Sequence, residues 1–360
     1  MTAWLGSLYG AAATWRRQWY ARDAARRHQL RQPVISIGNL SVGGSGKTPI
    51  AATVARLCIQ RGERPSILSR GYGRPRPQDG VTIVSDGMQI LADFAAAGDE
   101  PLMLARMLPG VPVLVGDSRY LSGRFAEEKL GATVHVLDDG FQHIELARDV
   151  DLLLASEEDL QDQPLPNGRL REPLMAAAHA DAALVHAGYE AEAERIGRAL
   201  GVPTVFRVER TLGAPRLIAT GDTVVVPTDE PVFGIAGIAR PERFFTNLAS
   251  EGWRVAGTMT FRDHHAYTDR DIERVSAAVR STGATIVMTT EKDAERLRGR
   301  QFGGLPFAAV PLTARIEPAA PFAEWLAGRV AAARIARLPS TSPRDGRGGL
   351  STEDRRPSTV

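Results

Sequence analysis

Apolar residues along the chain follow two alternating patterns. Short continuous runs such as Val34-Ile35-Ser36-Ile37 read as buried strands, and similar runs recur at 66–69, 81–84, 111–115, 133–137, 151–154 and 182–186. Stretches with helical spacing fall between several of them, at 48–61, 101–108, 118–129 and 190–200. Strands alternating with helices predict a parallel sheet covered by helices. Near residue 205 the pattern changes. The segments 205–209, 216–219 and 223–226 are short, β-rich and separated by turn residues, which predicts a ribbon between two lobes. A second alternation follows, with strands at 232–236, 254–260, 285–288 and 306–310 and helices at 241–251, 268–281, 291–298 and 320–336. The expected organisation is therefore an N-terminal helix (1–31), a large α/β domain (32–204), a β-ribbon linker (205–228), a smaller C-terminal α/β domain (229–337) and a polar, disordered tail (338–360).

Residues 4–27 have the period of an amphipathic helix. Trp4, Leu8, Ala12, Trp15 and Trp19 fall on one narrow stripe, so three of the five tryptophans share a face. The apolar part ends at Arg16-Arg17 and is too short to cross a bilayer. Its charges follow the apolar run, unlike those of a secretory signal. Tryptophans beside clustered arginines suit a membrane interface. Packing on the protein's own domain or on a partner is the alternative, and Arg22 and Arg26 on the same stripe favour it.

Composition narrows the classes. The chain of 360 residues is 43% hydrophobic and 24% charged, as globular proteins are. It has no run of 18 apolar residues, which excludes a polytopic membrane protein. Cys58 is the single cysteine, so no intrachain disulfide can form, and a reducing compartment fits. The net charge of +2 gives no argument for nucleic acid, and no obligate protein partner is expected. Charge is unevenly spread: residues 1–31 carry +5 and the rest −3, as contact with an anionic surface requires. Of 44 basic residues, 41 are Arg, so the lysines Lys47, Lys129 and Lys292 stand out.

Lys47 sits in Ser41-Val42-Gly43-Gly44-Ser45-Gly46-Lys47-Thr48, after a strand and before a helix. That is the context of a Walker A loop, whose backbone N–H groups converge on phosphate oxygens at a helix N-terminus. Lys47 would reach the β- and γ-phosphates and Thr48 would turn its hydroxyl to Mg²⁺. Ser41 replaces the usual first glycine. Asp138 and Asp139 end the apolar strand 134–137 and form a Walker B candidate for holding Mg²⁺, although Asp-Asp-Gly also suits an ordinary turn. An ABC signature, a GTPase base-reading motif in correct order and a second loop lysine at Val42 are all missing.

Further polar clusters follow: Ser69-Arg70-Gly71-Tyr72-Gly73-Arg74, Gly98-Asp99-Glu100-Pro101, Asp138-Asp139-Gly140-Phe141-Gln142-His143, Arg171-Glu172-Pro173, Gly237-Ile238-Ala239-Arg240-Pro241-Glu242-Arg243-Phe244, Asp263-His264 and Thr290-Glu291-Lys292-Asp293. With the Gly-rich loop, and in this order over about residues 5–330, they closely resemble the tetraacyldisaccharide 4′-kinases, the lipid A 4′-kinases of Gram-negative bacteria. Ala239-Arg240 depart from the Gly-Asn often found in that family.

The resemblance implies a P-loop NTPase-like, mostly parallel sheet domain joined by a β-ribbon hinge to a smaller C-terminal α/β domain. It implies ATP-dependent phosphorylation of the 4′-hydroxyl of a tetraacylated glucosamine disaccharide 1-phosphate lipid, at the cytoplasmic face of the bacterial inner membrane. It implies catalysis by Asp99, His264 and Lys47, with Asp99 taking the proton and His264 orienting it or tuning its pKa once the lobes close. Residues 41–48 would bind ATP, and Thr48, Asp138, Asp139 and Glu100 the Mg²⁺. Arg70, Tyr72, Arg119, Gln142 and His143 are candidates for the acceptor, and Lys292 for the nucleotide's vicinity. On residue type alone, Asp99 is equally a helix N-cap, and the 290–293 run equally caps a helix. A kinase of a soluble sugar or nucleotide, and a nucleotide-dependent switch or metallochaperone, are the rival readings. The metallochaperone lacks the Cys and His cluster it would need.

Overall fold

The computed structural model describes residues 3–44 and 46–337, with side chains from residue 6 onward. Helix α1 (Ala3–Ala21) leads through a short 3-10 turn to strand β1 (Val34–Asn39) and helix α2 (Lys47–Gln60). Then come β2 (Pro65–Ser69), β3 (Val81–Asp86), α3 (Phe94–Ala97), α4 (Asp99–Met107), β4 (Pro112–Gly116), α5 (Arg119–Leu130), β5 (Val134–Asp138) and β6 (Val150–Ser156). Next are α6 (Glu157–Leu160), β7 (Ala182–His186), α7 (Glu190–Leu200), β8 (Val205–Leu212) and β9 (Arg216–Leu217). The second half adds β10 (Pro231–Ala236), α8 (Pro241–Ser250), β11 (Arg254–Thr260), α9 (Asp269–Thr282), β12 (Ile286–Thr290), α10 (Glu291–Leu297), β13 (Phe307–Val310), β14 (Leu312–Glu317) and α11 (Ala319–Arg337).

Two sheets organise the molecule. Among the described residues, nine strands in the order β14-β8-β7-β6-β1-β5-β2-β4-β3 form the larger, and five in the order β11-β10-β12-β13-β9 the smaller. Among the described residues, only β3 and β14 run antiparallel in the larger sheet, and only β9 in the smaller. The central strands β1 and β5 are buried along their whole length and mostly apolar, as coverage of both faces demands, with Ser36, Asn39, His135 and Asp138 as their buried polar positions. Strand β1 lies between β5 and β6, although both follow it by about a hundred residues in sequence. This is a topological switch point, where the crevice beyond the strands' carboxyl ends receives ligands.

Three boundaries differ from the sequence expectation. The N-terminal helix stops at Ala21 because the Asp23 carboxylate caps Ala25 N at 2.9 Å and starts a separate turn. Strand β8, expected as linker, instead pairs in parallel with β7 and extends the large sheet. Strand β14 pairs antiparallel with β8 and carries the chain back from the small lobe. Helix α11, expected in the C-terminal domain, therefore packs on the large one: Phe322 is wholly buried, with its ring centroid 4.9 Å from that of Phe206. The expected tail 338–360 and the loop residue Ser45 lie outside the described residues.

Helix α1 docks with its small residues inward. Gly6 and Gly10 are buried, and a Cβ on either would meet Asn167 or Pro173. Arg17 is buried beneath them and paired bidentately with buried Glu172, both bonds 2.8 Å. The opposite face leaves Leu8 58%, Trp15 63% and Trp19 39% exposed. The helix thus packs on its own domain with one face and leaves an apolar face exposed on the other.

Because α11 belongs to the large-lobe core, Phe322→Ala should cost about 3–5 kcal/mol, the usual loss for a buried aromatic. Guanidinium unfolding monitored on the whole chain measures it. A loss below roughly 1 kcal/mol would remove α11 from that core.

Candidate active site

The crevice at the switch point opens into a cleft of about 1950 Å³ bounded by both lobes. The loop after β1 forms one wall. Gly46 caps α2 at φ 79°, in the left-handed region, and a Cβ there would meet the Arg210 guanidinium at 2.7 Å. Ser41 is buried and forms an extended bridge with Leu170, so the position needs no glycine. Asn39 braces the loop by donating to Ser41 O at 2.7 Å and accepting from Lys47 Nζ at 2.8 Å. Thr48 is buried in the first turn of α2.

Strand register places the two aspartates beside this loop, with Asp138 on β5 opposite Ile37 of β1. The aspartates differ sharply. Asp139, at φ 56°, has Lys47 at 3.4 Å and Arg171 at 2.7 Å. Burial works to raise its pKa, but Lys47 and Arg171 outweigh burial and hold it below the ordinary value. Asp138 is 2% exposed, and its Oδ1 has no hydrogen-bond partner among the described residues. Burial first, then Glu100 and Asp139, push its carboxyl well above the usual range. A buried carboxylate oxygen without a donor fits a cation. Among the described residues no three His, Cys, Asp or Glu groups could enclose a metal by themselves. Phosphate oxygens and water would have to complete a Mg²⁺ shell.

The far wall comes from the junction of α4 and α10. Gly98, at φ 85° and ψ 170°, is the N-cap, so Asp99 is the first helical residue and not the cap. Asp99 Oδ1 accepts from Glu100 N at 2.9 Å. His264 of the small lobe bonds through Nδ1 to Asp99 Oδ2 at 3.0 Å, across 165 positions of sequence. Its backbone is left-handed, at φ 56°, and its N–H donates to Gly237 O. Buried Arg296 stands 3.4 Å from the same Asp99 oxygen and 3.0 Å from Asp293. Burial opposes the ionisation of Asp99, but His264, Lys292 and Arg296 together lower its pKa. The Asp99 bond raises the pKa of His264.

Exposure runs against the expected order of roles. Asp99 is 2% exposed and lies behind His264, whose side chain is 30% exposed on the cleft wall. With Nδ1 donating to the carboxylate, the neutral ring presents Nε2 as an acceptor, 3.9 Å from Asp263. The neighbouring His265 is structural: it binds Asp271 at 3.0 Å and stacks on Phe261. Glu100 contacts Lys292 across the lobes, and Thr290 caps α10 by accepting from Asp293 N.

Arg70, Tyr72, Arg119, Gln142 and His143 all line this one cleft. Arg119 is buried, its Nε lacks a hydrogen-bond partner among the described residues, and burial followed by Arg70 lowers its pKa to about 10. Burial and Arg119 push His143 down to about 3, so it is neutral at physiological pH. Gln142 is a brace, donating to Asn39 O at 2.9 Å and accepting from Arg171 at 3.3 Å. Arg70 and Tyr72 are 68% and 75% exposed at the mouth. Sequence reasoning missed Asn39, Arg171 and Arg296. Asn39 and Arg171 lie in or beside noted motifs, while nothing local distinguishes Arg296 from forty other arginines.

Comparison with known proteins identifies the family. The family described as tetraacyldisaccharide-1-P 4′-kinase matches residues 2–331. The tetraacyldisaccharide 4′-kinase of Desulfotalea psychrophila is 40% identical over 298 residues, 80% of this chain and 85% of the relative. That of Koribacter versatilis is 39% identical over 322 residues, covering 88% and 94%. The crystal structure of LpxK from Aquifex aeolicus in complex with ATP aligns with TM-score 0.75 and 31% identity, covering 91% of this chain and 98% of that one.

The Asp99–His264 pair should be visible in titration. His264 has a pKa above its ordinary 6.5, so its share of the interlobe attraction is complete below that value and is lost as pH rises through the raised one. Asp99 is depressed below 3.8, so its share is present above that value and is lost as pH falls through the depressed one. Asp99→Asn should therefore lower the His264 pKa, followed by NMR of the imidazole protons. An unchanged or higher value would mean that the two groups are not paired.

Proposed function

The chain belongs to the tetraacyldisaccharide-1-phosphate 4′-kinase family and transfers the γ-phosphate of ATP to the 4′-hydroxyl of tetraacyldisaccharide 1-phosphate in lipid A biosynthesis; from that premise we propose how its own residues divide the work. The observation that carries the proposal is the hydrogen bond from His264 to Asp99 at the cleft that also holds Lys47, Asp138 and Asp139.

Residues 41–48 bind the triphosphate through backbone N–H groups at the start of α2, with the Lys47 ammonium on its β- and γ-oxygens. Lys47 is already aimed by Asn39 and Asp139. Thr48, Asp138 and Glu100 would hold Mg²⁺, with Asp139 keeping Lys47 and Arg171 in place beside it. When bound there, Mg²⁺ would supply neutralisation of the charge that develops on the triphosphate.

A sugar hydroxyl is a poor nucleophile until its proton has a destination. The 4′-oxygen forms a bond to the γ-phosphorus as the bond from that phosphorus to the β,γ-bridging oxygen breaks, and ADP leaves. The hydroxyl proton passes to the Asp99–His264 pair and enters at Nε2, the ring nitrogen turned from the carboxylate. Asp99 fixes the tautomer and stabilises the imidazolium, and Arg296 keeps Asp99 ionised. Arg119 and Arg70 are placed to take the acceptor's anionic group, with Tyr72, Gln142 and His143 along the same wall.

An acylated acceptor resides in a bilayer, and the chain meets it at the cytoplasmic face of the inner membrane. No described helix is long and apolar enough to cross a membrane. The exposed Leu8, Trp15 and Trp19 face of α1 lies in the interface, with Arg16 and Tyr9 of that helix at the cleft edge.

With labelled ATP and tetraacyldisaccharide 1-phosphate in detergent micelles, Asp99→Ala and His264→Ala should each lower turnover by roughly 10²–10⁴-fold. The double variant should lose little more, because the two act as a unit. Near-wild-type turnover in either single variant refutes the assignment. Trp15→Glu with Trp19→Glu should reduce binding to anionic vesicles in flotation while leaving activity on micellar substrate nearly intact. Unchanged flotation would place the membrane contact elsewhere.

A further inference from the structure

Lys292 is one of three lysines in a chain that otherwise carries its positive charge on 41 arginines. It stands in the first turn of α10, where acidic residues and not cations complement the helix dipole. Its position is thus locally unfavourable and calls for another cause. The side chain bridges the α4–α10 junction to Glu100, and the next carboxylates its charge feels are Asp99 and Asp138. A compact ammonium amid three carboxylates, two of them assigned to Mg²⁺, occupies the electrostatic place of a small cation.

Glu100 therefore has two partners to choose between, the metal and Lys292. We propose that Lys292 is the internal counter-cation of the metal site: it holds Glu100 to the small lobe and gives it up when the metal–triphosphate enters, so that metal loading and the grip between the lobes are linked. The inference rests on the reading that Asp138 and Glu100 hold the metal. Lys292 acts through Glu100 and is a positioning residue. A second tie between the same helices, Arg106 to buried Glu295 at 2.8 Å, does not involve the metal carboxylates and keeps α4 beside α10 during the exchange.

The consequence is an unusual direction of effect. Removing a cation that competes for Glu100 should strengthen metal binding, whereas loss of a purely structural contact should not. Mn²⁺ titrated into the full chain without nucleotide, followed by electron paramagnetic resonance of the free ion, reads this directly. Lys292→Met and Lys292→Gln should each bind Mn²⁺ more tightly than wild type, on the order of tenfold for one charge removed at this range. The gain should vanish when Glu100→Gln is added, and Asp138→Asn should weaken Mn²⁺ binding in every background. Far-UV circular dichroism identifies any variant that does not fold, and the second Lys292 variant then decides. Equal or weaker Mn²⁺ affinity in the folded Lys292 variants, with Asp138→Asn still weakening it, overturns the role of Lys292 and leaves the metal assignment standing. Binding indifferent to both Asp138→Asn and Glu100→Gln overturns the metal assignment and this inference with it.

Discussion

Four carboxylates, Asp99, Glu100, Asp138 and Asp139, crowd in and just behind one cleft, and the fold around them is arranged to offset their repulsion. Like charges this close cannot all stay ionised unaided. Their cationic partners arrive from separate stretches of chain. Lys47 follows β1, Arg171 comes from the loop before β7, and His264, Lys292 and Arg296 come from the small lobe. Asp138 is the least compensated of the four: burial, Glu100 and Asp139 hold its carboxyl above the usual range, whereas Asp99 and Asp139 are held below it. The small lobe is thus part of the site's charge balance as well as its far wall.

The chain path makes that sharing mechanically sound. It leaves the large sheet after β8 and returns as β14, its antiparallel neighbour. Two adjacent strands therefore carry the lobe-to-lobe connection, and α11 closes the path against the large-lobe core. The N-terminal helix is tied in through charge as well. Arg17 binds Glu172 and reaches Phe141 O, while the neighbouring Arg171 binds Asp139. Between a helix that presents tryptophans outward and the aspartate beside the phosphate loop there is one short run of paired residues.

Much of the fold was legible because buried parallel strands are continuous apolar runs and their covering helices have a different period. The phosphate loop and the paired aspartates were legible for a similar reason: strand, loop and helix lie consecutively in sequence. Strand β14 was not, since it is six residues long and buries only Ala314 and Ile316. Arg296 was not, because its value lies entirely in what surrounds it. The direction of the Asp99–His264 pair was not either, since residue type does not say which member lies deeper.

The sequence by itself determined the strands and helices, the phosphate-binding loop and the family, because each is encoded by local spacing or by an ordered set of motifs. Tertiary structure alone decided that α11 belongs to the first lobe, that α1 buries glycines and an ion pair while showing Trp15 and Trp19, and that His264 stands in front of Asp99. The physical reason is range. Hydrogen bonding and hydrophobic period act over a few residues, whereas burial, charge compensation and the choice of which side chain meets the cleft depend on groups more than a hundred positions apart.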